Sequence, residues 1–133
     1  FSERRIRESY RTIHRAFFTR YPNVRFSWSY KTNYLDAVCA ILHQEGETAE
    51  VVSELEYRKA RRLGVPGNEI IFNGPYKPLE ALKTAVSEGA TINIDHFDEI
   101  YDLEEVADSL GRRINVGVRL NMDTGISPQW TRF

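Results

Sequence analysis

Residues 24–33 read VRFSWSYKTN, a segment in which apolar and aromatic residues alternate with small polar ones. This alternation predicts a β-strand over residues 24–31 that is packed on both faces. Lys31 falls at the end of this strand, and the turn that follows, residues 31–34, contains no glycine. A lysine at the end of a buried strand is costly unless it has a partner or a use, so Lys31 is the first candidate functional residue.

Further strands and helices are predicted on both sides of this segment. Apolar spacing, a Ser53–Glu56 capping box and glycine stops bound the helices. Strands are predicted over residues 24–31, 49–52, 69–73, 91–95 and 114–121, and helices over residues 2–20, 34–45, 53–63, 78–88 and 98–110. Strand and helix alternating at this short spacing require right-handed crossovers, which predict a parallel sheet.

The α/β order α-β-α-β-α-β-α-β-α-β leaves two architectures, an open doubly wound sheet or part of a (β/α)8 TIM barrel. A doubly wound sheet usually has a glycine-rich turn after its first strand, and none is present after Lys31. Polar residues mark the carboxyl end of every predicted strand, namely Lys31, Ser53, Asn73, Asp95 and Asn121. A barrel gathers all such ends on one face, so an incomplete barrel of five parallel strands is predicted.

The apolar faces of the helices can also be predicted. Each set of inward residues repeats at three or four positions, which places it on one side of a helix. The sets are Ile6, Tyr10, Ile13 and Phe17 in the first helix and Ile100, Leu103, Val106 and Leu110 in the last. The arginines of the first helix are expected on a solvated face, and Cys39 off the apolar stripe of its own helix.

Composition is that of an ordinary globular domain. The 133 residues are 41% hydrophobic and 28% charged, and 18 basic against 19 acidic residues give a net charge of −1. Such a balance argues against nucleic acid or a membrane surface as a partner. A single cysteine favours a reducing, cytoplasmic location. The first residue is Phe1 and not methionine, so the chain is expected to be a single domain, residues 1–133, cut from a longer protein.

A lysine at this position suits covalent catalysis, because a deprotonated amine can form a Schiff base with an aldehyde. The alternative from position alone is a lysine that extends out of the strand end into solvent.

Several words of the sequence resemble those of the fold-type III pyridoxal-phosphate decarboxylases, the diaminopimelate and ornithine decarboxylase family with an alanine-racemase-like barrel. WSYKTN (residues 28–33) resembles Tyr-Ala-x-Lys-Ala-Asn, and AEVVSELE (49–56) is similar to Asp-x-x-Ser-Gly-Gly-Glu. IIFNGPYK (70–77) resembles Ile-x-Phe-x-Gly-x-x-Lys, and IDHFDE (94–99) resembles Val-Asp-Ser-x-x-Glu. VRLN (118–121) is similar to Leu-Arg-x-Asn, and TRF (131–133) to Ser-Lys-Phe. These six matches occur in order, one at each predicted strand end and one in the tail.

The resemblance implies roles for five residues. Lys31 would carry the Schiff base with pyridoxal 5'-phosphate. Glu50, one methylene longer than the family's aspartate, would lie near the cofactor ring. Arg119 would fix the ring and neighbouring carboxylates, and Asn73 and His96 would line the floor between them. No metal is implied.

Purely structural roles remain possible for several residues of the site and of the matching segments. Arg119 and Glu50 could form an ion pair within the barrel mouth. His96 could be an ordinary loop histidine, and Lys77 a solvated loop lysine. Ser53 and Glu56 could serve only as a helix cap.

The implied reaction is decarboxylation of an amino acid, with meso-diaminopimelate as the expected substrate. Ornithine, arginine or a carboxynorspermidine-type substrate is the alternative, as is a catalytically silent binding homologue. Family members are homodimers whose phosphate-binding and partner-subunit residues come later in the chain, followed by a C-terminal β domain. The resemblance therefore implies that residues 1–133 alone form an incomplete site.

Overall fold

A computed structural model describes residues 1–120, in which helices and strands alternate. The helices are α1 (Glu3–Phe18), α2 (Asp36–Gln44), α3 (Glu54–Arg62), α4 (Leu79–Ser87) and α5 (Asp98–Leu110). The strands are β1 (Ser27–Ser29), β2 (Thr48–Val51), β3 (Ile70–Phe72), β4 (Thr91–Ile94) and β5 (Val116–Val118), with a 3-10 turn over Gly67–Glu69. The expected strand end at Asn121, the tail and the TRF word lie outside the described residues.

The five strands form one parallel sheet in the order β1-β2-β3-β4-β5. A doubly wound sheet reverses its strand order at a switch point, and no reversal occurs among these five strands. Each strand instead lies beside the one that precedes it in the chain, as in a β/α barrel. The predicted architecture, five parallel strands of a barrel, is confirmed. Strands β1, β3 and β4 are shorter than predicted, β2 keeps its predicted length but begins one residue earlier, and β1 ends at Ser29, two residues before Lys31.

The two faces of the sheet have different roles. Val51, Phe72 and Ile92 lie in register on β2, β3 and β4 and are all buried. They pack against residues of α3, α4 and α5, and the Phe72 ring lies 5.5 Å from that of Tyr57. Since side chains alternate along a strand, Glu50 and Asn93 emerge on the opposite face. The helices thus hold the sheet from behind and leave the other face for polar residues.

The capping box of α3 forms with one change. Ser53 Oγ accepts a hydrogen bond from the Glu56 backbone N–H at 3.3 Å, as expected. The Glu56 carboxylate accepts the N–H of Val52 at 2.8 Å, one residue before the cap. The same side chain therefore caps the helix and fixes the carboxyl end of β2.

Three expectations about burial are wrong. In α1, Ile13 and Phe17 are about half exposed, and in α5 Ile100 and Leu110 are also exposed. Cys39 is fully buried in the core.

The arginine face of α1 is largely exposed, as predicted, and only Arg7 is partly buried. Arg7 and Arg11 donate hydrogen bonds to Glu45, at the end of α2, at 2.7 and 2.6 Å. These contacts join α1 to the first β/α unit. In residues 1–120 no helix is both long and apolar enough to cross a membrane.

Candidate functional site

A cavity of about 1010 Å³ lies at the carboxyl ends of the strands, on the face away from the helices. Residues from the end of every strand contribute to its wall. They are Lys31, Thr32, Glu50, Val52, Asn73, Gly74, Pro75, Asn93, Asp95, Gly117, Val118 and Arg119. Four of the five residues that the sequence singled out, Lys31, Glu50, Asn73 and Arg119, are thus brought together in one cavity.

Lys31 reaches the cavity from a short turn that follows β1. Thr32 closes this turn by donating both its N–H and its Oγ1 hydroxyl to the carbonyl of Ser29, at 3.2 and 2.7 Å. The preceding Tyr30 is fully buried behind the sheet, and its N–H donates to the Glu50 carbonyl at 3.0 Å. The buried Tyr30 anchors the turn and leaves Lys31 on the cavity side.

The environment of Lys31 corrects one expectation. Lys31 is exposed, so it is not a lysine buried at the end of a strand. Its rigid support comes from Tyr30, whose hydroxyl lies 2.7 Å from His43 Nε2. His43 Nδ1 in turn donates to the Glu47 carbonyl at 2.8 Å, because a carbonyl oxygen can only accept. Burial raises the pKa of Tyr30, which keeps this phenol protonated.

Glu50 belongs to a row of side chains that crosses three strands. Asn73 Nδ2 donates to Glu50 Oε1 at 2.7 Å, and Asn93 Nδ2 donates to Asn73 Oδ1 at 2.6 Å. Asn93 was not predicted as a site residue. The signal was present in the word TINID, because Asn93 lies two residues before Asp95 and therefore on the same face of the strand.

Arg119 pairs with Asp95, on the other side of the cavity wall. Its Nη1 lies 2.7 Å from Asp95 Oδ1. Among residues 1–120, Arg119 forms its ion pair with Asp95 and not with Glu50, the alternative left open by the sequence. The wall therefore carries the Glu50 carboxylate on β2 and, separately, the Arg119–Asp95 ion pair, with Arg119 directly after β5 and Asp95 directly after β4.

His96 lies outside this group. Its side chain is 56% exposed, and Nε2 is 3.4 Å from Asp95 Oδ2. Among the described residues, Asn93 and Asp95 line the cavity beside Asn73 and His96 does not, so the role of His96 in the site stays a prediction.

A buried ion pair supports the cavity wall from behind. Lys77 is 2% exposed, so the alternative of a solvated loop lysine is wrong. Its Nζ donates to Glu99 Oε1 at 2.7 Å and to the Gly74 carbonyl at 2.8 Å. Glu99 Oε2 accepts the N–H of Asp95 at 2.8 Å. The pair thus ties the loop after β3 to the turn after β4, and both Gly74 and Asp95 line the cavity.

The wall carries two cationic and two anionic side chains on a rigid sheet. The Lys31 amine can attack a carbonyl carbon, while the carboxylates and the guanidinium can orient a polar, flat ligand by charge-assisted hydrogen bonds. No group of three or more histidine, cysteine, aspartate or glutamate residues in residues 1–120 could hold a metal ion. The arrangement suits an organic ligand that carries a carbonyl group.

Comparison with known proteins agrees with this geometry. Residues 3–131 match the model of the family described as pyridoxal-dependent decarboxylase, pyridoxal binding domain. Diaminopimelate decarboxylase from Zymomonas mobilis is 38% identical over 98 residues, which are 73% of this chain and 23% of that protein. L-Glutamyl-[BtrI acyl-carrier protein] decarboxylase from Niallia circulans is 32% identical over 103 residues, 77% of this chain and 24% of that protein.

A solved structure extends the match to three dimensions. The crystal structure of diaminopimelate decarboxylase from M. jannaschii in co-complex with L-lysine superposes with a TM-score of 0.79 at 29% identity. The match covers 88% of this chain and 28% of that one. The chain spans about a quarter of the length of the curated relatives that it matches. With the family model matched over nearly all its residues, the chain belongs to the pyridoxal-dependent decarboxylases and corresponds to their pyridoxal binding domain.

Proposed function

We propose that the protein decarboxylates an amino acid with pyridoxal 5'-phosphate, and that Lys31 holds the cofactor. The observation that carries this proposal is the convergence of the Lys31 amine, the Glu50 carboxylate and the Arg119 guanidinium on one cavity at the carboxyl ends of consecutive parallel strands. Barrel enzymes place their chemistry on this face.

The residues present fit the cofactor by their chemistry. An amine is needed for its aldehyde carbon, and the Lys31 turn supplies one that is accessible from the cavity. The cofactor's ring and its polar substituents need fixed donors and acceptors, which Glu50 and Arg119 offer. When bound, pyridoxal 5'-phosphate withdraws the electrons that remain on the substrate after carbon dioxide leaves.

The chain's own residues orient and shield the reacting groups. Lys31 Nζ would hold the cofactor, and the same amine could carry a proton beside the substrate. The direction of the Arg119 side chain is fixed because Asp95 Oδ1 accepts a hydrogen bond from its Nη1. Asn73 and His96 remain predicted cofactor contacts, and of these Asn73 lies in the cavity wall.

The proposed substrate is meso-diaminopimelate, which would give lysine. Support comes from the Zymomonas mobilis relative and from the L-lysine in the co-complex of the structural neighbour. A second candidate is an amino acid of another class, because the Niallia circulans relative acts on an L-glutamyl group on a carrier protein. The departure from the family sequences at Glu50 falls in the cavity wall, so the second candidate is tested as well.

The assembly is also a proposal. We infer that residues 1–133 form the N-terminal part of the cofactor-binding barrel in a longer protein, a cytoplasmic homodimer whose remaining strands and C-terminal β domain complete the site. The match to about a quarter of each relative supports this inference. Exposed Tyr76, Phe97 and Tyr101 also support a protein surface that covers the loops beside the cavity. Sedimentation of the full-length protein tests it, and a monomer at micromolar concentration would contradict the dimer.

Covalent trapping tests the central proposal. The full-length protein is incubated with pyridoxal 5'-phosphate, reduced with borohydride and digested, and the labelled peptide is sequenced. The label is expected on Lys31 and is expected to disappear in Lys31→Ala. Lys83→Ala is the matched control, because Lys83 lies on the helical side of the sheet and pairs with Glu80 and Glu105. A label elsewhere, or none, would show that Lys31 does not hold the cofactor.

Carbon dioxide release then identifies the substrate. The full-length protein with pyridoxal 5'-phosphate is incubated separately with each of five amino acids. They are meso-diaminopimelate, ornithine, arginine, lysine and carboxynorspermidine. Release from meso-diaminopimelate alone supports the first candidate. A labelled Lys31 with no release from any of them would favour a carrier-bound substrate or a silent homologue.

A further inference from the structure

We propose that Asn93 positions the Glu50 carboxylate in the cofactor cavity through Asn73, and that Gly117 leaves the space this requires. The row Glu50–Asn73–Asn93 crosses β2, β3 and β4 and ends above Gly117 on β5. Asn93 and Gly117 are therefore positioning residues. The proposal rests on the proposed function for the identity of the ligand, while the row itself is a feature of the described chain.

The direction of the row follows from the charge on Glu50. An ionised carboxylate only accepts hydrogen bonds, so Asn73 must present its NH2 group to Glu50 Oε1. This leaves Asn73 Oδ1 as an acceptor, and Asn93 must therefore present its own NH2 group. One charge thus sets the orientation of two amides, and both bonds, at 2.7 and 2.6 Å, are short.

Gly117 makes the far end of the row possible. A Cβ atom built on Gly117 would overlap Asn93 Oδ1, the oxygen left over once the Asn93 NH2 group faces Asn73. Gly117 lies directly beside Asn93 in the register of β4 and β5. Its backbone has no left-handed torsion, so glycine is required here for space and not for conformation.

The row matters for the site because a glutamate side chain has three rotatable bonds. Hydrogen bonding to a fixed donor restricts the carboxylate to one position, and several coupled bonds strengthen one another. Glu50 and Lys31 line the same cavity, so the position of this charge affects how readily the group held by Lys31 gains or loses a proton. Releasing Glu50 should therefore change a titration as well as an affinity.

The test uses the full-length protein with pyridoxal 5'-phosphate. The dissociation constant of the cofactor and the pH midpoint of the visible absorbance of the lysine–cofactor linkage are measured for the wild type and for Asn93→Ala. We expect the dissociation constant to rise about fivefold, the value of one lost hydrogen bond. The pH midpoint is expected to move by about half a pKa unit as the carboxylate moves away from its fixed position.

Three further variants separate positioning from general damage. In Asn93→Ser the side chain stays polar but is too short to donate to Asn73. In Gly117→Ala the new methyl group displaces Asn93. Both variants should therefore shift the pH midpoint as Asn93→Ala does. Asn115→Ala is the matched control, because Asn115 is exposed just before β5 and should change neither quantity. In Glu50→Gln the further change Asn93→Ala should no longer move the midpoint, since the charge is already gone.

The outcomes distinguish the two proposals. A wild type that forms no lysine–cofactor absorbance overturns the proposed function and this inference with it. A normal wild-type absorbance with an unchanged midpoint in Asn93→Ala and Asn93→Ser overturns the positioning role alone. A midpoint shift that persists in the Glu50→Gln background would also overturn it, because the effect would then not pass through Glu50.

Discussion

Lys77 Nζ and Glu99 Oε1 lie 2.7 Å apart with almost no exposure of either side chain, 0% and 8%. A buried pair is tolerated only when its remaining hydrogen-bonding groups are satisfied. Here Gly74 O accepts from the lysine, and the Asp95 N–H donates to the glutamate. The pair therefore holds two strand ends of the cavity wall at once, and its loss would be felt at both.

Replacing Lys77 by methionine should destabilise the full-length protein by about 3–5 kcal/mol, because an uncompensated carboxylate remains buried. Urea unfolding measures this. The double variant Lys77→Met/Glu99→Gln should recover part of the loss, since a neutral amide can still accept the Asp95 N–H. Lys83→Met, which removes a surface ion pair, should change stability little. A double variant less stable than Lys77→Met would contradict the buried-charge explanation.

Glu47 should make stability fall as the pH rises through the weakly acidic range. Burial raises the pKa of Glu47 from 4.5 to about 7, and its Oε2 is buried without a hydrogen-bond partner among the described residues. Between these two values the folded state binds a proton that the unfolded state has lost, so unfolding becomes easier towards pH 7 and above.

The variant Glu47→Gln should remove this dependence. The melting temperature of the full-length protein should be close to wild type near pH 4 and higher than wild type near pH 8, because the glutamine carries no charge to bury. Melting curves across this pH range provide the measurement. The exposed Glu104, changed to glutamine, is the control. Equal differences from wild type at both pH values would rule out a titration of Glu47.

The acidic limit of stability should depend on Glu45. Hydrogen bonds from Arg11 and Arg7 lower the pKa of Glu45 from 4.5 to about 2. Because the pKa of Glu45 is lower in the folded state, the ionised carboxylate stabilises the fold at pH values above 4.5. This stabilisation is lost as the pH falls from 4.5 towards 2. Arg11→Gln should therefore reduce the melting temperature at pH 6 and have a smaller effect near pH 2. A loss of the same size at both pH values would show that Arg11 acts by packing.

The sheet could be predicted from the sequence because its strand ends carry local signals. Each polar residue at the end of an apolar run marks where a strand leaves the core, and the absence of glycine after Lys31 favoured the barrel order that the sheet has. Lys31 and Asn73 could be placed in one cavity from these strand ends, whereas Glu50, inside β2, was implied only by the family resemblance.

The partners of these residues could not be predicted in this way. Arg119 pairs with Asp95 and Lys77 with Glu99, 24 and 22 positions away, and such choices depend on the twist and register of the strands. The sequence overestimates the burial of apolar side chains on α1 and α5. An apolar stripe indicates which face of a helix can pack against other residues, but it does not show whether other described residues contact that face. The sequence predicted Cys39 off the apolar stripe of its helix and left the burial of Lys77 open, since side-chain type alone does not reveal a satisfied buried group.

Gly74 and Gly46 allow backbone strain to be separated from steric overlap. Both have φ of 101°, a torsion that residues with a Cβ rarely adopt. Nothing lies within 4 Å of a Cβ built on Gly46, whereas a Cβ on Gly74 would overlap the backbone carbonyl of Val52. Val52 is held in turn, because its N–H donates to the Glu56 carboxylate.

Gly46→Ala should therefore cost only the torsional strain, about 1–3 kcal/mol. Gly74→Ala should cost that strain and about 1–3 kcal/mol more for the overlap, because β2 cannot move without breaking the Val52 bond. Gly74 lines the cavity, so its variant should also weaken binding of pyridoxal 5'-phosphate, while Gly46→Ala should not. Urea unfolding and cofactor titration of the full-length protein measure both effects. Equal stabilities of the two variants would contradict this expectation. They would show that the Val52 carbonyl moves to accommodate the new methyl group at no measurable cost in the free energy of unfolding.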